Sequence, residues 1–187
     1  MEYKLIALDI DGTLLNSSNQ ITENVKEAIR KSKEKGVKVV LCTGRPLKGV
    51  ENFLDELNLK EEGDYVSTFN GALVQDAHTG KPISHLTLDY EDLCDLYDLS
   101  VEVGSRSHFY DTRTVYTFNR DVSDYTILEA YLTGVHLNVT ELDEVPKDIA
   151  MSKFMMIDHP EILNECIKKI PEEYYEKYTI VRSTPFF

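Results

Sequence analysis

The chain reads as an α/β protein: a parallel sheet wrapped by helices, followed by a second module of α+β type. Three observations predict this. Apolar strand-like runs alternate with amphipathic helical runs over residues 4–69, the pattern of a parallel sheet with crossover helices. After Gly71 the alternation gives way to hairpins and helices in irregular order. The run Asp9-Ile10-Asp11-Gly12-Thr13 follows directly on Leu5-Ile6-Ala7-Leu8, and the carboxyl end of a parallel strand is where such sheets bind ligands.

The elements follow in order. Lys4–Leu8 is the first strand. Thr22 is a helix N-cap, with Val25, Ala28, Ile29 and Ser32 at helical spacing up to Gly36. Val37–Leu41 is β-branched and apolar enough for a strand buried on both faces. Pro46 opens a helix whose apolar face is Val50, Phe53, Leu54 and Leu57. Tyr65–Phe69 is the third strand. Ala72–Gln75 and Ile83–Leu88 flank a breaker-rich turn over 76–82 and read as a hairpin.

The boundary between modules falls near residue 86. Beyond it the sequence predicts a helix over 90–103 ending at Gly104, and strands at His108–Tyr110 and Val115–Phe118. A helical stretch over 123–133, a strand at Lys153–Ile157, a helix at Pro160–Ile170 and a last strand at Tyr178–Arg182 complete the module. Tyr110, Tyr116, Phe118 and Tyr125 read as an aromatic packing cluster.

Composition narrows the function classes. The 187 residues are 42% hydrophobic and 28% charged, ordinary values for a globular protein. No apolar run approaches the ~18 residues that span a bilayer, and no basic segment followed by a long apolar one marks a secretory signal. The net charge of −13 is uneven: 11 basic against 13 acidic residues up to position 86, and 9 against 20 afterwards. Without a basic stripe, neither nucleic acid nor an anionic membrane is an expected partner. The three cysteines, Cys42, Cys94 and Cys166, form no disulfide framework, which points to free thiols in a reducing cytoplasm. The five histidines show no metal-ligand spacing.

Two segments carry candidate chemistry. Asp9 and Asp11 are paired carboxylates on a glycine-containing turn, although Asp-Gly is also a common turn for structural reasons alone. Cys42-Thr43-Gly44-Arg45-Pro46 ends the second strand. A hydroxyl, a glycine and a helix opening there make an anion site, or an ordinary β–α connection. Neighbouring strands bring the two segments to one rim. Asn70-Gly71 ends the third strand at the same rim, where it serves a substrate or simply turns the chain. Arg45 either meets substrate or caps local structure.

Asp9-Ile-Asp11-Gly12-Thr13 and Thr43-Gly44-Arg45 resemble the first and second signatures of the haloacid dehalogenase-like superfamily. Asn70-Gly71-Ala72-Leu73-Val74-Gln75, Tyr116 through Asp121, Lys153 through Asp158 and Tyr178 through Pro185 resemble its Cof-type branch. The resemblance implies an incomplete Rossmann-like core, three-layer α/β/α with a parallel sheet, over residues 1–86, and an α+β cap domain over 87–187. It also implies a phosphatase of small phosphorylated metabolites, sugar phosphates foremost. Asp9 corresponds to the nucleophile and Asp11 to the acid/base. Mg²⁺ would be held by the Asp9 carboxylate and the Asp11 main-chain carbonyl. Thr43, Gly44, Arg45, Asn70 and Gly71 correspond to phosphate- and substrate-binding positions.

Two parts of the family pattern have no counterpart here: a lysine downstream of the cap, and a Gly-Asp-x-x-x-Asp segment that completes the metal shell. The expectation is a shortened member whose first strand is an exposed apolar edge, prone to self-association. Two alternatives stand beside the phosphatase: a binding or regulatory protein without turnover, and a phosphomutase. A response-regulator receiver is excluded, because its phosphoacceptor ends a later strand and here the third strand ends in Phe69-Asn70.

Overall fold

The computed structural model describes residues 3–185. They form two compact units, Met1–Leu86 and Thr87–Phe187. The first contains strands β1 (Leu5–Asp9), β2 (Lys38–Cys42), β3 (Tyr65–Thr68), β4 (Leu73–Asp76) and β5 (Pro82–His85), with helices α1 (Glu23–Glu34) and α2 (Glu51–Glu56). The sheet order is β1-β2-β3-β4-β5. β1, β2 and β3 run parallel, and β4 and β5 return antiparallel.

The core of this unit lies on one face of the sheet. Val39 and Leu41 of β2 and Val66 of β3 pack with Ile29 of α1 and Leu54 of α2. Both helices therefore cover the same face, and the first unit shows two layers. Its other face is open: Leu5 is 55% exposed, and Val40, Cys42 and Ser67 are half-buried. β1 is an edge strand among the described residues.

The helix expected from Pro46 breaks in two. A single 3₁₀ turn spans Leu47–Gly49, and α2 begins only at Glu51. Pro46 itself is extended (φ −69°, ψ 165°), so it precedes the turn and does not open the helix. Strand β5 also lies one residue earlier and ends three residues sooner than the Ile83–Leu88 reading.

The second unit contains α3 (Tyr90–Val103), β6 (Ser107–Tyr110), β7 (Thr114–Thr117), α4 (Asp124–Thr133), β8 (His136–Val139), β9 (Lys153–Met156), α5 (Pro160–Ile167) and α6 (Glu172–Lys177). The sheet order is β8-β7-β6-β9. Asp89 caps α3 reciprocally with Asp92, at 2.9 and 3.2 Å. On one sheet face Phe109 stacks on Tyr116 (5.0 Å between centroids) and meets Phe118, which packs edge-on to Tyr97 of α3.

The expected aromatic cluster is divided by the pleat. Tyr110 pairs across the ladder with Lys153, next to the Phe109–Phe154 pair, so its side chain takes the opposite face. There its hydroxyl donates to Glu129 of α4 at 3.3 Å. Tyr125 packs instead edge-on to His159.

The strand expected at Tyr178–Arg182 is absent. The chain there has no ladder partner among the described residues. Tyr178 instead ties the segment to α3, donating to Asp92 at 2.8 Å and Asp95 at 2.9 Å. Two elements escaped the sequence reading: β8, which pairs parallel to β7, and α6. All three cysteines are free. No helix is long and apolar enough to cross a membrane among the described residues.

Candidate active site

The first site segment is shaped by where its apolar residues go. Ile10, Leu14 and Leu15 are buried in the core of the first unit, and Asp9, Asp11, Gly12 and Thr13 are left exposed. Asp9 is the last residue of β1 and lies opposite Cys42 of β2. The chain then turns at Asp11 (φ −78°, ψ 117°) and Gly12 (φ 78°, ψ 0°). These are the central angles of a type II turn, whose third position needs a residue that accepts positive φ. No atom crowds Gly12, so backbone conformation alone explains that glycine. The Leu15 N–H donates to the Ile10 carbonyl at 3.0 Å and closes the loop.

The structure places the Asp9 and Asp11 carboxylates in solvent reach, with the Asp11 side chain 58% exposed. The reason is the edge position of β1, which carries no neighbour on its outer flank among the described residues.

The second segment leaves β2 one residue after the Asp9–Cys42 pair. Thr43 is buried, and its hydroxyl accepts the Arg45 N–H at 3.2 Å, which shapes the turn. The third segment interlocks with it. Thr43 N–H donates to the Ser67 carbonyl at 3.0 Å, Asn70 N–H to the Thr43 carbonyl at 2.9 Å, and Phe69 N–H to the Arg45 carbonyl at 3.2 Å. Phe69 (φ 50°), Asn70 (φ 57°) and Gly71 (φ 93°) form an unusual left-handed run, of the kind that concentrates at functional turns. A Cβ on Gly44 would stand 2.7 Å from the Asn70 Oδ1. Glycine lets the Asn70 side-chain end lie this close to the turn.

Arg45 joins the first and second segments. Its Nη2 donates to Asp11 Oδ1 at 2.6 Å and its Nε to Asp11 Oδ2 at 3.1 Å, a two-point pair. The guanidinium also sits 5.8 Å from the Phe53 ring centroid. The Cys42 thiol pKa is raised by burial, with the Asp9 charge adding in the same direction, so this cysteine is not primed as a nucleophile.

The structure therefore brings Asp9, Asp11, Thr43, Gly44, Arg45, Asn70 and Gly71 to the carboxyl ends of three adjacent strands. Sequence reasoning missed Phe53 beside Arg45. It also missed the buried brace under the Asn70 turn, where Gln75 donates to the Thr68 hydroxyl at 3.2 Å and that hydroxyl donates to the Leu73 carbonyl. Thr68 and Gln75, polar residues on the same face as Val66 and Leu73, were the available signal. The donors at the rim are all oxygens: two carboxylates and main-chain carbonyls. That is the chemistry a hard dication such as Mg²⁺ takes, often through one or two carboxylates with water and phosphate completing the shell. No set of three or more His, Cys, Asp or Glu converges among the described residues.

A profile of the haloacid dehalogenase-like hydrolases matches residues 6–187, nearly the whole chain. The chain belongs to the haloacid dehalogenase-like hydrolases. It is similar to YxeH of Bacillus subtilis, provisionally named a phosphatase, at 56% identity over 99% of this chain and 68% of that protein. It is similar to M6_Spy0533 of Streptococcus pyogenes, named in the same way, at 43% identity over 100% of this chain and 69% of that protein. Among solved structures, a haloacid dehalogenase-like hydrolase of Bacteroides thetaiotaomicron superposes with a TM-score of 0.81 and 26% identity. That match covers 99% of this chain and 69% of the other. The mixed α/β architecture of this haloacid dehalogenase-like chain is thus the architecture of its family.

Proposed function

We propose that this chain hydrolyses phosphate monoesters of small metabolites, with sugar phosphates as the leading class, by way of a phosphorylated Asp9. The observation that carries the reading is the meeting of Asp9, Asp11 and the Thr43–Gly44 turn at one rim. In the first step an Asp9 carboxylate oxygen attacks phosphorus and the bond to the ester oxygen breaks. Asp11, entering the step protonated, gives that oxygen its proton and is left as the carboxylate. In the second step water attacks phosphorus, Asp11 takes the water's proton, and orthophosphate leaves with Asp9 restored. Splitting one difficult hydrolysis into two easier steps is the advantage of a covalent route, and a positioned acid/base typically contributes about 10²–10⁴-fold.

Gly44 presents its N–H to the phosphoryl oxygens from a turn that the N–H groups of Thr43, Arg45, Phe69 and Asn70 hold in shape. Mg²⁺ would be held by the Asp9 carboxylate and the Asp11 main-chain carbonyl, and it supplies positive charge against the repulsion between carboxylate and phosphate. The second unit is assigned the selection of the leaving group, as the family resemblance implies. A second reading, phosphate binding without turnover, is favoured by the thin carboxylate set at the rim.

The deciding experiment is Mg²⁺-dependent release of orthophosphate from p-nitrophenyl phosphate and from a panel of sugar phosphates, by this chain and by Asp9→Asn. Turnover by the former and at least a ~10³-fold loss in the latter support the proposal. Equal background rates overturn it.

A further inference from the structure

We infer that Arg45 is a positioning residue that holds Asp11 in the resting protein and releases it when a phosphoryl group arrives. This inference rests on the phosphatase reading above and adds a regulatory step to the same site. Both Asp11 carboxylate oxygens are taken by one guanidinium, at 2.6 and 3.1 Å. Asp11 must carry a proton for the leaving oxygen before it can take one from water, and the carboxylate that accepts both N–H groups of the fork carries none to give. Once Arg45 turns to the phosphoryl group, Asp11 takes up that proton from solvent or from a monoprotonated phosphate ester.

Exchange is built into the geometry. Arg45 follows the Thr43–Gly44 turn directly in the chain, and its own N–H is fixed by the Thr43 hydroxyl at 3.2 Å. The base of the side chain is therefore anchored at the phosphate turn, while its far end reaches across to Asp11. A phosphoryl dianion offers the planar fork two or more acceptor oxygens and the larger charge. The existing partner competes poorly: the Arg45 and Asp11 side chains are 30% and 58% exposed, and half-exposed pairs are weak and screened. The Phe53 ring, its centroid 5.8 Å from the guanidinium carbon, offers the cation a face while the fork changes partner.

The alternative is a fixed strut, in which Arg45 keeps Asp11 through the whole reaction. The two differ in what phosphate does to the pair. The test follows the Gly44 amide, the Arg45 Nε–H signal and the Asp11 side-chain carboxyl carbon by NMR while orthophosphate is titrated into the full chain. The inference predicts that all three respond together and saturate at one concentration. A Gly44 response with the Arg45 and Asp11 signals unmoved leaves the phosphate site intact and overturns the exchange. No Gly44 response at saturating phosphate overturns the phosphate-site reading itself, and the exchange with it.

A binding cycle with Asp11→Asn, Arg45→Ala and the double variant supplies a second readout. If the arginine is shared, Asp11→Asn strengthens orthophosphate binding by about threefold only where Arg45 is present. An equal gain in the Arg45→Ala background reflects bare repulsion between carboxylate and phosphate, and overturns the inference.

Discussion

The rim of the first sheet and the α4 face of the second use similar side chains to opposite ends. At the rim, Asp9 and Asp11 are exposed and Arg45 is partly so, all at or just beyond strand ends, with the Asp11–Arg45 pair open to competition. Beneath α4, His108, Tyr110, Glu129 and Lys153 lie on or against the interior of the second sheet. His108 is fully buried between the Thr126 hydroxyl (3.0 Å) and the Met155 sulfur (3.2 Å). Burial, with the Lys153 charge adding to it, pushes the His108 pKa down to about 3. Burial also raises Tyr110 and lowers Lys153, each toward its neutral form. Titratable groups are available for chemistry where the fold leaves them reachable. Where it buries them, they shape the core and tie stability to pH.

Four substitutions break or sharpen this contrast, in falling order of expected effect. Phe109→Ala removes the ring that stacks on Tyr116 and Phe118 at the centre of the second core. Urea unfolding should show a loss of about 3–5 kcal/mol, a cost that no single rim side chain approaches.

His108→Gln tests the buried face through pH. The native protein holds His108 neutral down to about pH 3, whereas an unfolded histidine takes up its proton near pH ~6.5. Between those values the unfolded state binds more protons, so this group's contribution to stability falls as pH falls. The slope approaches ~1.4 kcal/mol per pH unit for one fully shifted group. Unfolding midpoints at pH 7 and pH 5 should therefore diverge more in the native chain than in His108→Gln. Equal divergence would show that His108 titrates normally.

Gly44→Ala places a Cβ 2.7 Å from the Asn70 Oδ1. Asn70 is exposed and its side-chain end can swing away, so the stability cost stays under about 1 kcal/mol. Orthophosphate affinity, read by calorimetry, should fall by about tenfold as the added methyl and the displaced Asn70 side chain crowd the Gly44 N–H. Asp11→Asn gives the smallest stability effect. The pair it breaks is partly exposed, so a change in unfolding free energy beyond about 1 kcal/mol would contradict the picture of a weak, exchangeable contact.

The first unit was legible because its chemistry follows chain geometry. Val39, Leu41 and Val66 mark buried parallel strands, and parallel neighbours bring their carboxyl ends together without any contact being known. The Asp11–Arg45 pair was not legible: the partners are 34 positions apart, and only side-chain direction joins them. The degree of exposure of the two aspartates was not legible from the run itself, because the first strand's apolar residues look the same whether the strand is central or at an edge.

In the second unit, signals were weaker for physical reasons. β8 is His136-Leu137-Asn138-Val139, with three of its four residues exposed, so it lacks the alternation that announces a half-buried strand. α6 is six residues rich in Glu and Tyr, too short for a periodic pattern. Tyr174 and Tyr178 hold that region down through hydroxyls on Asp92 and Asp95. At Tyr178–Arg182 the alternation suited a strand, but a strand requires a partner edge, which composition does not supply.

The central claim is that reaction takes place at the rim of the first sheet, on Asp9. Acid quench of the chain during turnover of a phosphate ester, followed by peptide mass spectrometry, tests it most directly. The prediction is a phosphoryl group on the peptide containing Asp9, acid-stable and hydroxylamine-labile as an acyl phosphate, and missing from Asp9→Asn. Continued turnover with the label on another residue, or with full activity in Asp9→Asn, would contradict the account.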